Sequence, residues 1–169
     1  MLIWITGLAG AGKTTIATAL YKRLKPKYVN LVLLDGDVFR EVMGQDVGYD
    51  LDGRKIMAER MSRLCGCLVK QDIHVICATI SMYKEIHALN RATIEGYYEV
   101  FVDVSMENLV ARDKKQLYSR ALRHEIRSVV GVDLPFDKPE HPDVVIDNNV
   151  CDFLDMKVQK ILKIIKEKL

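Results

Sequence analysis

Cysteine is scarce in this chain of 169 residues, and the four present, Cys65, Cys67, Cys77 and Cys151, have no C-x-x-C spacing. They lie in apolar patterns, which excludes a disulfide framework, argues against a zinc site and reads as the reduced thiols of a cytoplasmic protein. No apolar stretch approaches the ~20 residues that a membrane span needs. An excess of one charge is missing too. Twenty-five Lys and Arg stand against 23 Asp and Glu, a net charge of +2, so no chain-wide affinity for nucleic acid or an acidic membrane is expected. The N-terminus lacks the basic stretch of a secretory signal, and there are no internal repeats, low-complexity tracts or linkers. What remains is 49% hydrophobic and 28% charged, enough for one domain over residues 1–169 to bury a core without metal or disulfides.

Apolar, β-branched runs alternate with longer helical patterns. Strands are expected at about Leu2–Thr6, Asn30–Leu34, Ile73–Ala78, Glu99–Val104 and Val144–Ile146, with helices near 13–24, 54–70, 84–95 and 106–114. Such alternation predicts a mostly parallel sheet with helices on both faces and ligands outside the carboxyl ends of the strands. From Asp152 to Lys168, Phe153, Val158, Ile161, Leu162 and Ile165 make one apolar face opposed by lysines, a packing helix. Between Val132 and Pro142 the prolines mark a structured loop. His74, His87, His124 and His141 lack metal-site spacing and read as structural or solvated. Tyr97 and Tyr98 read as packing residues at a strand.

Residues 7–14, Gly-Leu-Ala-Gly-Ala-Gly-Lys-Thr, match G-x-x-x-x-G-K-[ST] immediately after the first expected strand. The glycines let the backbone curl with its N–H groups inward, so that Gly7, Ala9, Gly10, Ala11, Gly12, Lys13, Thr14 and Thr15 form a phosphate cradle. Lys13 reaches the β/γ-phosphates, the Thr14 hydroxyl ligates Mg²⁺, and the following helix presents its positive end to the same anion. Motif and alternation together make the fold class α/β, of the three-layer P-loop NTPase type. The second strand runs into Asp35-Gly36-Asp37 at the same sheet edge. Asp37 is the candidate base for an attacking hydroxyl, and Asp35 the metal-shell or structural carboxylate; the alternative is a polar turn closing the strand.

These residues belong to a longer pattern. The phosphate loop, Leu-Leu-Asp-Gly-Asp with Arg40, Asp46-Val47-Gly48-Tyr49 with Arg54, Ala78-Thr79-Ile80-Ser81-Met82-Tyr83, Ala111 to Tyr118 and Gly131 to Phe136 follow in order, and the chain resembles the adenylylsulfate kinase family over about residues 2–147. The resemblance implies ATP as donor, Mg²⁺ as cofactor and the ribose 3′-hydroxyl of a small nucleotide as acceptor. It implies that Asp37 is catalytic, that Arg40 and Arg54 hold the acceptor and that Ile80-Ser81 contact it. Arg112 would lie against the ATP base. Lys115, with Leu117-Tyr118, would belong to a basic lid at about 114–136, and cations closing over transferring phosphate stabilise its charge. Lys13, Asp37 and Lys115 form the expected catalytic set. A homodimer is one assembly open to such a chain.

Three departures cluster on the acceptor side. Val38 follows Asp37 where the family has asparagine, Met57 replaces an asparagine of the phosphosulfate site with Glu59 in place of an arginine, and Val129 replaces a phenylalanine that stacks on the acceptor adenine opposite the retained aromatic, Tyr49. A thioether cannot donate the hydrogen bonds of an amide, and losing one face of a base clamp costs about 1–3 kcal/mol of stacking. A related branch, in bacterial capsule pathways, phosphorylates cytidine diphosphoramidate, whose smaller base suits these changes, and the reading turns toward it; adenylylsulfate kinase proper is the alternative. A nucleotide-dependent regulatory module without turnover is a further one. The Asn-Lys-x-Asp of a guanine switch is absent.

Overall fold

A computed structural model of the chain describes residues 1–44, 46–113 and 116–168. Five parallel strands, β1 (Leu2–Thr6), β2 (Leu31–Asp35), β3 (His74–Thr79), β4 (Tyr97–Asp103) and β5 (Val144–Asp147), form one sheet in the order β2-β3-β1-β4-β5. Strand β1 lies in the middle and every one of its residues is buried, the apolar run Leu2–Ile5 as a strand covered on both faces demands and Thr6 with its hydroxyl hydrogen-bonded. Its side chains alternate between two cores. Ile3 and Ile5 face α1 (Lys13–Leu24) and α7 (Leu154–Lys168), whereas Leu2 and Trp4 face α3 (Leu51–Val69) and α4 (Lys84–Thr93). The three layers anticipated from the alternation are therefore present.

The elements depart from expectation mainly at their ends. Strand β2 starts and stops one residue late, so that Asp35 is its last residue, and β4 starts at Tyr97, whose ring and that of Tyr98 are buried. Helix α3 starts a turn early, because the Asp50 side chain accepts from Gly53 N at 2.8 Å and caps it. Two short helices were not expected. Asp35-Gly36-Asp37 is not a polar turn: Asp35 caps α2 (Gly36–Val42), accepting from Asp37 N at 2.9 Å. In the expected lid, Asp113 accepts from the backbone N of Tyr118 and of Ser119, both at 2.9 Å, and starts α6 (Leu117–Leu122) just beyond α5 (Met106–Arg112). Both helices are too short for apolar periodicity to reveal them. No helix among the described residues is long and apolar enough to cross a membrane.

Candidate active site

The loop between β1 and α1 owes its shape to its glycines. Gly10 and Gly12 lie in the left-handed region, at φ 75° and 96°, and a Cβ on Gly7 would come within 2.6 Å of the Val102 carbonyl on the neighbouring strand. Gly12 caps α1 without a side chain and no acidic residue occupies the first turn, which leaves the first N–H groups of the helix for an anion. Lys13 bends back, its Nζ donating to Leu8 O at 2.9 Å. Desolvation of this ammonium draws its pKa down from 10.5 to about 8, against the opposing attraction of Asp37 and, more weakly, Asp35. Asp37 thus acts on Lys13 more strongly than Asp35 does.

Asp35 joins the loop to the acceptor edge. Its Oδ2 accepts from Thr14 Oγ1 at 2.7 Å while its Oδ1 holds the α2 N-terminus. Thr15 is exposed, Ala11 buried, and Ala9 packs against the core and accepts from the Tyr118 hydroxyl at 2.7 Å, which ties α6 to the loop.

Beyond Asp37, two arginines organise residues 47–49. Arg40 Nη1 donates to Val47 O at 3.1 Å and Gly48 O at 3.0 Å, and its guanidinium lies 4.3 Å from the centre of the exposed Tyr49 ring. Arg54 Nε donates to Tyr49 O and its Nη2 to Ser128 O, both at 2.8 Å, so this one side chain bridges the Tyr49 loop and the far end of the lid segment. Partial burial lowers its pKa. Ile80 and Ser81 sit at the carboxyl end of β3, pinned by buried polar side chains: Thr6 Oγ1 donates to Ile80 O, Thr79 and Ser81 share a hydroxyl contact of 2.8 Å, and His87 Nε2 lies 3.0 Å from Ser81 O. His87 Nδ1 is 3.0 Å from Glu99 Oε1, a buried pair behind the acceptor edge that its sequence context does not reveal.

Met57 and Val129 are both in cores. Met57 packs in the layer of Trp4, Phe39 and Tyr83, and Val129 in that of Leu8 and Val130, so neither presents an open face comparable to Tyr49. Val38 is exposed, and Leu117 packs partly buried at the start of α6. Asp133 accepts from Ser128 N and Val129 N at 2.6 Å each, closing the turn that carries Val129. Arg112 docks on the turn after β5, its Nη2 donating to Asn148 O and Asn149 O at 2.6 Å each, while its Nη1 is enclosed without a hydrogen-bond partner among the described residues. Lys115, expected to act from the lid, lies outside the described residues, as does Lys114. A cavity of about 240 Å³ opens beside the loop between Leu8, Met82, Phe101, Met106 and Phe136; a larger one, about 500 Å³, lies between α3 and α4 and is lined, of the residues read onto the acceptor side, by Glu59 alone.

The family model for adenylylsulphate kinase matches residues 1–147. A cytidine diphosphoramidate kinase of Campylobacter jejuni is 49% identical over 162 residues, 96% of this chain and 94% of that protein. An adenylyl-sulfate kinase of Gloeothece citriformis is 38% identical over 160 residues, 95% of this chain and 90% of its own. Among solved structures, the Mycobacterium tuberculosis APS kinase CysC in complex with AMPPNP and APS superposes with a TM-score of 0.86 at 28% identity, covering 98% of this chain and 96% of that one. The phosphate loop, the carboxylates at the end of β2 and the sheet order are thus set in a chain whose likeness runs nearly end to end, and it belongs to the adenylylsulfate kinase family of ATP-dependent phosphotransferases.

Proposed function

We propose that the protein transfers the γ-phosphoryl group of ATP to the ribose 3′-hydroxyl of cytidine diphosphoramidate. The observation that carries this reading is the gap in likeness: 49% identity to the Campylobacter jejuni cytidine diphosphoramidate kinase over 162 residues, against 38% over 160 and 34% over 165 to the adenylyl-sulfate kinases of Gloeothece citriformis and a Picosynechococcus species. The departures at Val38, Met57 and Val129 agree with it. A valine at 129, buried in the core, offers no second aromatic face, which leaves Tyr49 and its stacked arginine as the platform for a smaller base.

In this reading the loop N–H groups and Lys13 hold the ATP phosphates, and Arg112 lies against the ATP base. Asp37 accepts the proton of the 3′-hydroxyl as its oxygen bonds to the γ-phosphorus and the bond to ADP breaks. Arg40, Tyr49, Arg54, Ile80 and Ser81 orient the acceptor, and Lys115 and Leu117 close over it. Thr14 and Asp35 are hard oxygen donors 2.7 Å apart and fit Mg²⁺, which takes one or two protein oxygens together with substrate phosphates. Bound there, the ion would neutralise phosphate charge. No group of three or more His, Cys, Asp or Glu among the described residues could hold a metal alone.

The test is a panel of acceptors assayed with ATP and Mg²⁺, with products examined for a new 3′-phosphate and compared by kcat/KM. A much higher value for cytidine diphosphoramidate than for adenylylsulfate is expected. The reverse preference would return the chain to sulfate activation with its ATP chemistry intact, and hydrolysis of ATP unaffected by any acceptor would favour a regulatory module.

A further inference from the structure

No sequence pattern singles out Asn148, the residue after β5, yet every polar group it has is engaged. Its backbone N donates to Asp103 O at 2.9 Å, extending the β4–β5 ladder, and its carbonyl accepts from Arg112. Its side chain is buried and reaches the phosphate loop, Nδ2 donating to Ala11 O at 2.6 Å, while Oδ1 accepts from Lys157 Nζ at 2.7 Å. Lys157 settles which way the amide faces. An ammonium only donates, so the amide oxygen must meet it and the NH₂ must meet Ala11. The Lys157 ammonium is itself held by Val150 O at 2.6 Å and Asp152 O at 2.7 Å, so it cannot swing away without releasing the turn before α7.

The consequence lies one atom further on. A trans peptide is planar, with C=O and N–H on opposite sides, so fixing the Ala11 carbonyl against Asn148 turns the Gly12 N–H the other way, to the face of the loop that can meet a phosphate. The approach is close: a Cβ on Gly12 would lie 2.5 Å from Asn148 Nδ2. We propose that Asn148 is a positioning residue for nucleotide binding, which together with Lys157 of α7 holds the Ala11–Gly12 peptide in its phosphate-binding orientation and joins it to the turn on which Arg112 docks. The C-terminal helix thereby helps to shape the phosphate loop.

The discriminating variant is Asn148→Asp. It keeps the size and the bond to Lys157, so the fold is retained, but it presents an acceptor to the Ala11 carbonyl where a donor is needed. Losing that bond and facing oxygen with oxygen should raise the Kd for ADP, measured by direct titration, and the KM for ATP by about tenfold or more. The KM for cytidine diphosphoramidate should stay within about twofold, a split that general destabilisation would not produce. Lys157→Met, which frees the amide to rotate, should raise the ADP Kd by a smaller factor. ADP affinity unchanged in both folded variants would overturn the proposal, as would equal losses for ATP and acceptor. Because ADP binding needs no acceptor, failure here is separable from a wrong acceptor assignment.

Discussion

Nucleotide binding should take up a proton at Lys13 above about pH 8. The ammonium of this half-buried side chain is drawn in against Leu8 O, and desolvation moves its pKa from 10.5 to about 8 even with Asp37 and Asp35 attracting it. One pKa unit is 1.36 kcal/mol of differential interaction, so this displacement stands for roughly 3 kcal/mol by which the loop disfavours its own charged lysine. A triphosphate brings compensating negative charge and restores the pKa toward its ordinary value. The sign follows. With the bound pKa above the free one, affinity is at full strength below about pH 8 and falls by up to tenfold per pH unit above it until the bound pKa is reached. At pH 9 the free lysine is about nine-tenths neutral, so binding should draw in about 0.9 proton. Calorimetric titration with ADP and Mg²⁺ at pH 7 and pH 9, in buffers of differing ionisation enthalpy, measures both quantities. Lys13→Arg, which does not titrate in this range, should abolish the uptake. Equal affinities at the two pH values with no proton uptake at pH 9 would refute the reasoning, since the lysine would then be charged whether or not phosphate is present.

Asp37→Asn keeps the shape of the base but not its proton affinity, so transfer to the acceptor should fall by orders of magnitude while calorimetry finds ADP binding retained; a fall confined to Asp35→Asn would exchange the two roles. Met57→Asn with Val129→Phe should move the kcat/KM ratio toward adenylylsulfate. Both positions are buried, so the pair also encloses an amide and overpacks a core, lowering the melting temperature by several degrees, with about 1–3 kcal/mol from the phenylalanine alone. An unshifted ratio in the folded double variant would show that base choice is made elsewhere.

What the sequence by itself determined is what local chemistry demands. A phosphate cradle needs glycine where the backbone turns left-handed, at Gly10 and Gly12, and a lysine and a hydroxyl next to them; that spacing can be read without coordinates. Strand β1 was legible because a central parallel strand is nearly continuous in apolar residues, here Leu2 to Ile5, and the five-strand alternation followed from the same rule. Tertiary structure alone decided the rest. Helices α2 and α6 are nucleated by the carboxylates of Asp35 and Asp113, not by apolar periodicity. The burial of Met57 and Val129, two of the departures on the acceptor side, is set by packing and could not be read from their place in the sequence. Asn148 lies 137 residues from Ala11, His87 six from Ser81 and 12 from Glu99, and Tyr118 109 from Ala9. One polar side chain meeting one distant carbonyl leaves no periodicity and no motif behind. Only the packing of loops and helices around the finished sheet brings such groups within about 3 Å, and there burial makes an unmet donor or acceptor costly enough to select them.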